Sequence, residues 1–256
     1  MTQIGIDRMD RDGDGPSTLA LRRQGVVRSL EAMRMRLADR VSLEDLARTA
    51  GMSRFHFVRV FHGVTGLPPF QFLSAMRLAC ARDLVLNTAA PVTAICFDVG
   101  YSSLGTFTRR FTASVGASPM QLRRFSGSRD EPTPNIQPAA SPDLRGPEAD
   151  IVVHCQGISD DARIFVGAFP SPMPIGRPKA CASAAGISSV VLRDVPLGSH
   201  YILAAAGPAN SIAARVAGVE MLVGIAHPAP ILIEHRCTQE VVVQLRPVEV
   251  TDPPIV

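Results

Sequence analysis

Arginine supplies nearly all of the positive charge of this chain, and two arginines occupy matched places in a repeated pattern. Arg59 lies in the segment LARTAGMSRFHFVRVF, and Arg109 lies in the segment ICFDVGYSSLGTFTRRF. A guanidinium can donate two parallel hydrogen bonds to the O6 and N7 atoms of guanine, and it can also bind a phosphate. The pattern therefore indicates nucleic-acid chemistry, provided that the surrounding elements present both side chains. A lone arginine of this kind would be read as ordinary surface charge.

The two segments are copies of one unit. Gly51 corresponds to Gly100, and the copies share two phenylalanines followed by a Gly-x-x-Pro sequence (Phe57, Phe61 and 66–69; Phe107, Phe111 and 116–119). The offset between the copies is about fifty residues, with one residue inserted in the turn of the second copy. So many independent matches at a nearly constant offset indicate a true internal repeat.

Each copy carries the local signals of a helix, a turn and a second helix. In the first copy, Ser42 is a good N-cap for a helix over 43–50, and Gly51 can adopt the positive φ that ends it. Ser53 is expected to cap a second helix that ends near Thr65. The second copy repeats this order with a helix over 92–99, then Gly100 and the cap Ser103. A long helix over 70–86 is expected to join the copies rigidly.

Helical periodicity separates an inner and an outer face on the second helix of each copy. At ~100° per residue, the phenylalanines point inward in both copies. The outer face of the first copy carries Arg54, Phe55, Val58 and Arg59; that of the second carries Leu104, Gly105, Thr108 and Arg109, with Thr106 on its flank. Serine caps and helix N-termini suit phosphate, so Ser53 and Ser103 are predicted phosphate contacts, together with Thr108, Arg110 and Arg123.

Charge and composition divide the chain into parts. Residues 20–125 hold 15 arginines and 6 acidic residues, whereas residues 126–256 carry a net charge of −4. Residues 126–149 contain five prolines and few large apolar residues, which is typical of a linker. We therefore predict an acidic, flexible tail over 1–25, an all-α nucleic-acid-binding domain over 26–125, a linker over 126–149 and a separate domain over 150–256.

The last part of the chain has the pattern of a mostly-β sandwich. Short runs rich in β-branched residues alternate with Pro- and Gly-rich turns; the predicted strands are 151–155, 163–169, 188–195, 201–206, 219–225, 231–235 and 240–245, with a short helix near 210–216. The phrase VLRDVPLGSHYILAA resembles prealbumin-type sandwiches of the carboxypeptidase-regulatory or Cna-B-like kind. Such a module suggests sensing, dimerisation or protein contact.

Several other kinds of protein are disfavoured. No apolar run approaches the ~18 residues of a membrane span, and the start of the chain lacks a secretory signal. Five scattered cysteines indicate neither a disulfide framework nor a zinc ribbon, and they fit a reducing cytoplasm. A metal or thiol sensor built on His235 and Cys237 is less favoured than plain core packing. No catalytic motif is found, so we expect no catalytic residue, metal or cofactor.

The repeat resembles the double helix-turn-helix domain of AraC/XylS-type transcriptional regulators. The similarity covers residues 26–125 and rests on the two copies, on the segment Arg77-Leu78-x-x-Ala81-x-x-Leu84 between them and on the final Gly116-x-Ser118-Pro119. It implies seven helices, of which two enter successive major-groove segments of double-stranded DNA. It also implies base contacts from Arg54, Phe55, Val58 and Arg59 in the first recognition helix and from Leu104, Gly105, Thr106 and Arg109 in the second.

The chain also departs from the family in ways that bear on function. Val58 and Gly105 stand where members often have polar base readers, so the second helix is expected to depend more on Arg109 and on phosphate contacts. The expected partners are DNA, RNA polymerase, a small-molecule effector and a second copy, with no membrane. The expected location is the cytoplasmic nucleoid. The alternative is a DNA-repair or thiol-reactive enzyme joined to a DNA-binding domain.

Overall fold

The computed structural model describes residues 16–127, 148–158, 162–174, 176–185, 188–208, 221–235 and 237–254. The first of these ranges is helical, and the others form strands and their connections. Residues 1–15 of the predicted acidic tail, most of the predicted linker and the predicted helix near 210–216 lie outside the described residues. Among the described helices, none is long and apolar enough to cross a lipid bilayer.

The described helical unit contains seven helices, as the resemblance implied. They are α1 (Pro16–Met35), α2 (Leu43–Ala50), α3 (Arg54–Thr65), α4 (Pro69–Asn87), α5 (Val92–Asp98), α6 (Leu104–Val115) and α7 (Pro119–Gly127). The predicted boundaries of α2 and α3 agree with the structure to the residue. Helix α1, by contrast, begins at Pro16, so the helical unit starts ten residues before the predicted boundary at 26.

Two separate apolar cores hold the helical unit together. The first core lies between α1, α2, α3 and the amino-terminal half of α4, and the second lies between the carboxyl-terminal half of α4, α5 and α6. Each core is centred on the phenylalanine pair of one copy, and all four rings are fully buried. Burying each large side chain contributes roughly 1.5–3 kcal/mol. Because α4 takes part in both cores, it fixes one helix-turn-helix unit relative to the other.

Strands form the second unit of the chain. They are β1 (Glu148–Gln156), β2 (Ala162–Phe169), β3 (Ala180–Ala185), β4 (Ser189–Pro196), β5 (Gly198–Pro208), β6 (Leu222–Ile225), β7 (Ile231–Ile233), β8 (Thr238–Gln244) and β9 (Arg246–Pro247). One sheet has the order β4-β1-β8, and the other has the order β3-β2-β5-β6-β9, with β7 pairing on β5. A shared apolar core lies between the sheets and confirms the predicted β-rich domain.

Pairing in the smaller sheet combines both strand directions. β1 is antiparallel to β4 and parallel to β8, with Asp150 opposite Thr238. In the larger sheet, β2 lies between β3 and β5 and is antiparallel to both. The alternation that predicted most of these strands places residues such as Ile151, Val153 and Ile164 in the core.

The connection between β2 and β3 reaches the helical unit. We name its described residues 171–174 and 176–179 the strap. The Met173 side chain is only 3% exposed and belongs to the first helical core. A second contact joins Arg23 of α1 to Glu249 near the carboxyl-terminal end of the described chain. The two units are therefore packed against each other in this structure.

Candidate nucleic-acid interface

The turn between α2 and α3 is built as the sequence predicted. Ser42 caps α2, and its hydroxyl oxygen accepts a hydrogen bond from the Asp45 amide at 3.1 Å. The Ser42 hydroxyl also donates to the Asp45 carboxylate, and this bond lowers the pKa of Asp45. Gly51 has φ 73° and ends α2. This tight turn sets the direction in which α3 leaves α2.

Helix α3 buries one face and exposes the other. Phe57 and Phe61 lie fully buried with ring centroids 5.4 Å apart, and Phe61 meets Phe72 of α4 edge-on. On the opposite face, the Phe55 side chain is 86% exposed, and Arg54 and Arg59 are exposed too. Val58 is half-buried. The exposed Phe55 ring is available to a ligand surface.

Neighbouring side chains orient the two arginines of α3. The Arg54 guanidinium forms an ion pair with Glu44 of α2 at 3.2 Å. The Arg59 guanidinium lies 3.3 Å from Nδ1 of His56, one turn earlier on the same helix. Both contacts are at the surface, so they are weak enough to exchange for a stronger anionic partner.

The second unit repeats this geometry around α6. Ser103 caps the helix and accepts a hydrogen bond from the Thr106 amide at 3.4 Å. Phe107 and Phe111 are buried with centroids 5.5 Å apart, and Tyr101 packs against Phe107. The outer face is an open, shallow surface lined by Leu104, Gly105, Thr108, Arg109, Thr112 and Ala113. Thr106 lies beside this surface and is half-buried.

The predicted phosphate contacts comprise three residues at or on the exposed helices and two arginines that make contacts inside the helical unit. Ser53 stands at the N-cap position of α3, but its side chain makes no capping hydrogen bond, which differs from the expectation for this serine. Ser103, Thr108 and the outer face of α6 lie together. Arg110 reaches toward Ser74 of α4 at 3.5 Å, and Arg123 donates to the Val85 carbonyl at 3.3 Å. These last two arginines therefore have roles within the helical unit.

One important residue was given no role by the sequence interpretation. The half-buried Arg77 guanidinium of α4 donates to the carbonyls of Leu37 at 2.8 Å, Asp39 at 2.7 Å and Gly100 at 3.1 Å. It thus ties the α1–α2 connection to the turn of the second unit. The signal was an arginine four residues after Leu73, on the apolar stripe of a helix.

Gly100 is required where Arg77 crosses. Its φ is 84°, and a Cβ there would lie 2.8 Å from the Ala38 carbonyl oxygen and 2.9 Å from the Arg77 guanidinium. No side chain fits without moving one of these groups. The turn glycine of the second copy therefore serves both the local turn and the joint between the units.

The described residues offer little support for metal or thiol chemistry. They contain no group of three or more His, Cys, Asp or Glu side chains placed to hold a metal ion. Burial raises the pKa of Cys80, Cys96, Cys155 and Cys181, which disfavours the thiolate form that a reactive cysteine needs. The His154 ring contacts Ser189 and Glu240 on an exposed sheet face.

Comparison with known proteins identifies the helical unit. A helix-turn-helix domain family matches residues 46–124, which include both turns and both exposed helices. Residues 46–124 therefore form a helix-turn-helix domain of the AraC/XylS type. The AraC/XylS-type domain includes all eight predicted base-contact residues.

Several curated relatives share this domain. An uncharacterised HTH-type transcriptional regulator of Haemophilus influenzae is 38% identical over 82 residues, which are 32% of this chain and 28% of the relative. The transcriptional activator RclR of Escherichia coli is 34% identical over 32% of this chain and 29% of its own length. The activator AarP of Providencia stuartii is 31% identical over 34% of this chain and 64% of its own length. The chain thus spans less than two thirds of each of these relatives.

Comparison with solved structures gives matches to parts of other transcription factors. A transcriptional regulator from Chromobacterium violaceum is 23% identical, with a TM-score of 0.40, and the match covers 41% of this chain and 95% of that one. The DNA-binding domain of AdpA, solved in complex with a target DNA, is 29% identical with a TM-score of 0.38. That match covers 44% of this chain and 95% of the other.

Proposed function

We propose that this chain is a sequence-specific DNA-binding transcriptional regulator in which α3 and α6 read successive segments of one major-groove face. The observation that carries the proposal is the repeated geometry of the two helices. Each is anchored by a buried phenylalanine pair and turns an arginine-bearing face outward (Arg59 and Arg109). Two similar proteins, RclR and AarP, are named as transcriptional activators, which supports the same class of function.

The two helices are proposed to read DNA differently. Helix α3 offers Arg54, Phe55, Val58 and Arg59, so guanine contacts from arginine and apolar contact with thymine methyl groups are both available. Helix α6 offers Leu104, Gly105, Thr106 and Arg109, with an open patch at Gly105 where a Cβ would meet nothing nearer than 4.0 Å. At α6, therefore, sequence recognition depends more than at α3 on close approach of the helix backbone and on the shape of the DNA.

Phosphate contacts and partners complete the proposal. Ser53 and Ser103 stand at the amino-terminal ends of α3 and α6, Thr108 lies on the outer face of α6, and Arg110 and Arg123 add positive charge around the second unit. The β unit is assigned to sensing, dimerisation or protein contact, with a small-molecule effector, a second copy or RNA polymerase as its partner. A regulator of this kind would act at the cytoplasmic nucleoid. The raised thiol pKa values give the reactive-cysteine alternative no support.

Binding selection on randomised duplexes tests the proposal. The full chain is compared with Arg59→Ala, Arg109→Ala and the control Arg34→Ala, an exposed arginine in the last turn of α1. Losing a base-reading arginine should cost about 1–3 kcal/mol on the preferred site and relax the preference at one base pair. Sites read by α3 and α6 should lie about one DNA turn apart, near 34 Å.

The control and the two test variants separate three outcomes. Arg34→Ala should select the same site as the unchanged protein, with nearly the same affinity. We expect the larger loss of sequence preference from Arg59→Ala, because its helix also carries Arg54 and has no glycine among its four predicted base-contact residues. If all the proteins select one identical site, neither arginine reads bases and both are phosphate contacts or plain surface charges.

A further inference from the structure

The strap touches both helix-turn-helix units. The Met173 side chain is buried in the first core, among residues of α1, α3 and α4. Three residues later the Gly176 amide donates to the Ser114 carbonyl of α6 at 2.6 Å. The Arg177 Nε atom then donates to the Gly116 carbonyl at 3.3 Å. Within these few residues the β unit therefore contacts the core behind α3 and the carboxyl-terminal end of α6.

The contact at α6 is a helix cap supplied from another domain. The last carbonyls of a helix have no partner within it, and that end carries partial negative charge. The strap provides an amide donor and a guanidinium at this place. Because Ala113 also lies on the outer face of α6, the strap meets the helix at the end of the surface proposed to read DNA.

Close packing makes the contact specific. Gly176 has φ 73°, and a Cβ there would lie 2.7 Å from the Ala113 carbonyl oxygen. A Cβ at Gly116 would lie 3.0 Å from Cγ of Arg177. The two backbones thus approach as closely as their atoms allow, and Met173 holds the strap in place by an independent apolar contact.

We propose that Met173, Gly176 and Arg177 are positioning residues of the DNA site, which lie outside the AraC/XylS-type domain and set the position of α6 relative to α3. This inference rests on the proposed function. By bridging the two units, the strap restricts the separation and angle of the two recognition helices. The protein should therefore prefer one spacing between its two half-sites, and that preference should depend on the β unit.

The first experiment measures spacing preference with the full chain. The probes are duplexes that carry the two half-sites found by binding selection, separated by centre-to-centre spacings of about 8 to 13 base pairs. Met173→Asp is compared with the conservative Met173→Leu and with the control Met35→Asp, which changes a methionine that is 85% exposed on α1. Gly176→Ala is a second strap variant that leaves the first core intact.

The expected result is a loss of the preference for one half-site spacing, with binding to a single half-site retained. Gly176→Ala should lower binding at the best spacing about tenfold while leaving the first half-site alone bound as before, and Met173→Asp should lower binding at the best spacing at least as much. Met173→Leu and Met35→Asp should keep the preference. An equal weakening at every spacing would mean a merely structural role and would overturn the proposal, and so would an unchanged preference in both strap variants.

A second experiment needs no DNA and separates this inference from the proposed function. Hydrogen exchange is followed in the full chain over residues 104–118. Met173→Asp and Gly176→Ala should accelerate exchange about tenfold there, since they release the cap on α6, and should leave β1 protected. If the unchanged protein selects no DNA site, the proposed function fails. Unaltered exchange at α6 in both variants would show that the strap does not hold the helix.

Discussion

Asp252 lies in a pair of charge-assisted hydrogen bonds near the end of the described chain. Both guanidinium Nη atoms of Arg246 donate to its carboxylate at 2.7 Å, and the Glu249 amide donates to it at 2.7 Å. Burial by itself would raise the pKa of Asp252, but the bonds from Arg246 and Glu249 outweigh it and hold the pKa below its usual value. This cluster supports the segment whose Glu249 contacts α1.

The lowered pKa predicts how stability changes with pH. A carboxyl whose native pKa lies below its unfolded value stabilises the fold above the unfolded pKa of about 4, and this contribution is lost as pH falls through the native pKa. Asp252→Asn should cost about 1 kcal/mol near pH 7, since the Arg246 side chain is half-exposed and solvent screens the pair. Urea unfolding between about pH 7 and pH 2 measures the difference, which should shrink as pH falls.

The matched control for this prediction is Asp39→Asn. Asp39 meets Arg36 at 3.5 Å, and its side chain is 61% exposed. This change should leave stability within about 0.5 kcal/mol of the unchanged protein. A cost for Asp252→Asn that is equally large in acid and at neutral pH would show that the ion pair is not its origin.

Helix α4 is the element that joins the two reading units, and Arg77 lies at its midpoint. Its guanidinium donates hydrogen bonds to three carbonyls, two in the loop before α2 and one in the loop after α5. Lysine carries the same charge but donates from a single nitrogen, so it cannot meet three carbonyls in a fixed plane. The arrangement requires arginine in particular.

Removing Arg77 should therefore loosen the helical unit. Arg77→Ala should destabilise it by about 1.5–3 kcal/mol, the range for hydrogen bonds made by charged groups. The stability of Arg77→Lys should lie between that of the unchanged protein and that of Arg77→Ala. Arg48→Ala is the control, since that side chain is 71% exposed and should cost no more than about 0.5 kcal/mol. Helical circular dichroism during thermal unfolding reports the change. Equal behaviour of the Arg77→Ala and Arg48→Ala proteins would exclude Arg77 as the joint.

The helices and strands were predictable to different degrees. Caps and turn glycines mark the ends of α2 and α3 in the sequence itself, so their boundaries were predicted correctly. β3 was missed because its sequence, ACASAA, consists of small residues with low strand preference, and its place is set by pairing with β2. The Pro-rich stretch before β3 was interpreted as plain punctuation between strands, although Met173 within it is a core residue.

Over the whole molecule, positive charge is concentrated in the helical unit. Residues 20–125 combine 15 arginines with 6 acidic residues, whereas the β unit is acidic. If the arginines neutralise several phosphates, DNA binding must release counterions, and affinity should fall steeply as salt rises from about 50 to 200 mM. Fluorescence anisotropy with a duplex probe measures this slope.

Single variants make the salt experiment more specific. Arg59→Ala should weaken the preferred site more than unrelated sequences, whereas loss of a phosphate contact should weaken all sequences alike and reduce the salt slope by about one unit. A salt-independent affinity would remove the basis for a phosphate-binding face. The order of the two units along the chain was predictable from composition alone, but their docking was not, because no local pattern pairs Met173 with core residues that lie about a hundred or more positions earlier.

The parallel pairing of β1 with β8 also has a consequence for how the chain is made. Synthesis proceeds from the amino terminus, and β1 must wait for a partner that begins 88 residues later at Thr238. The helical cores, by contrast, are built almost wholly from residues 26–122, so they can form while the ribosome is still producing the sandwich. Until β8 emerges, one edge of β1 has no strand partner, and an unpaired edge is open to aggregation. The strap, at 171–179, is made after the helical cores, so a newly made helical unit is the less restrained form of the protein.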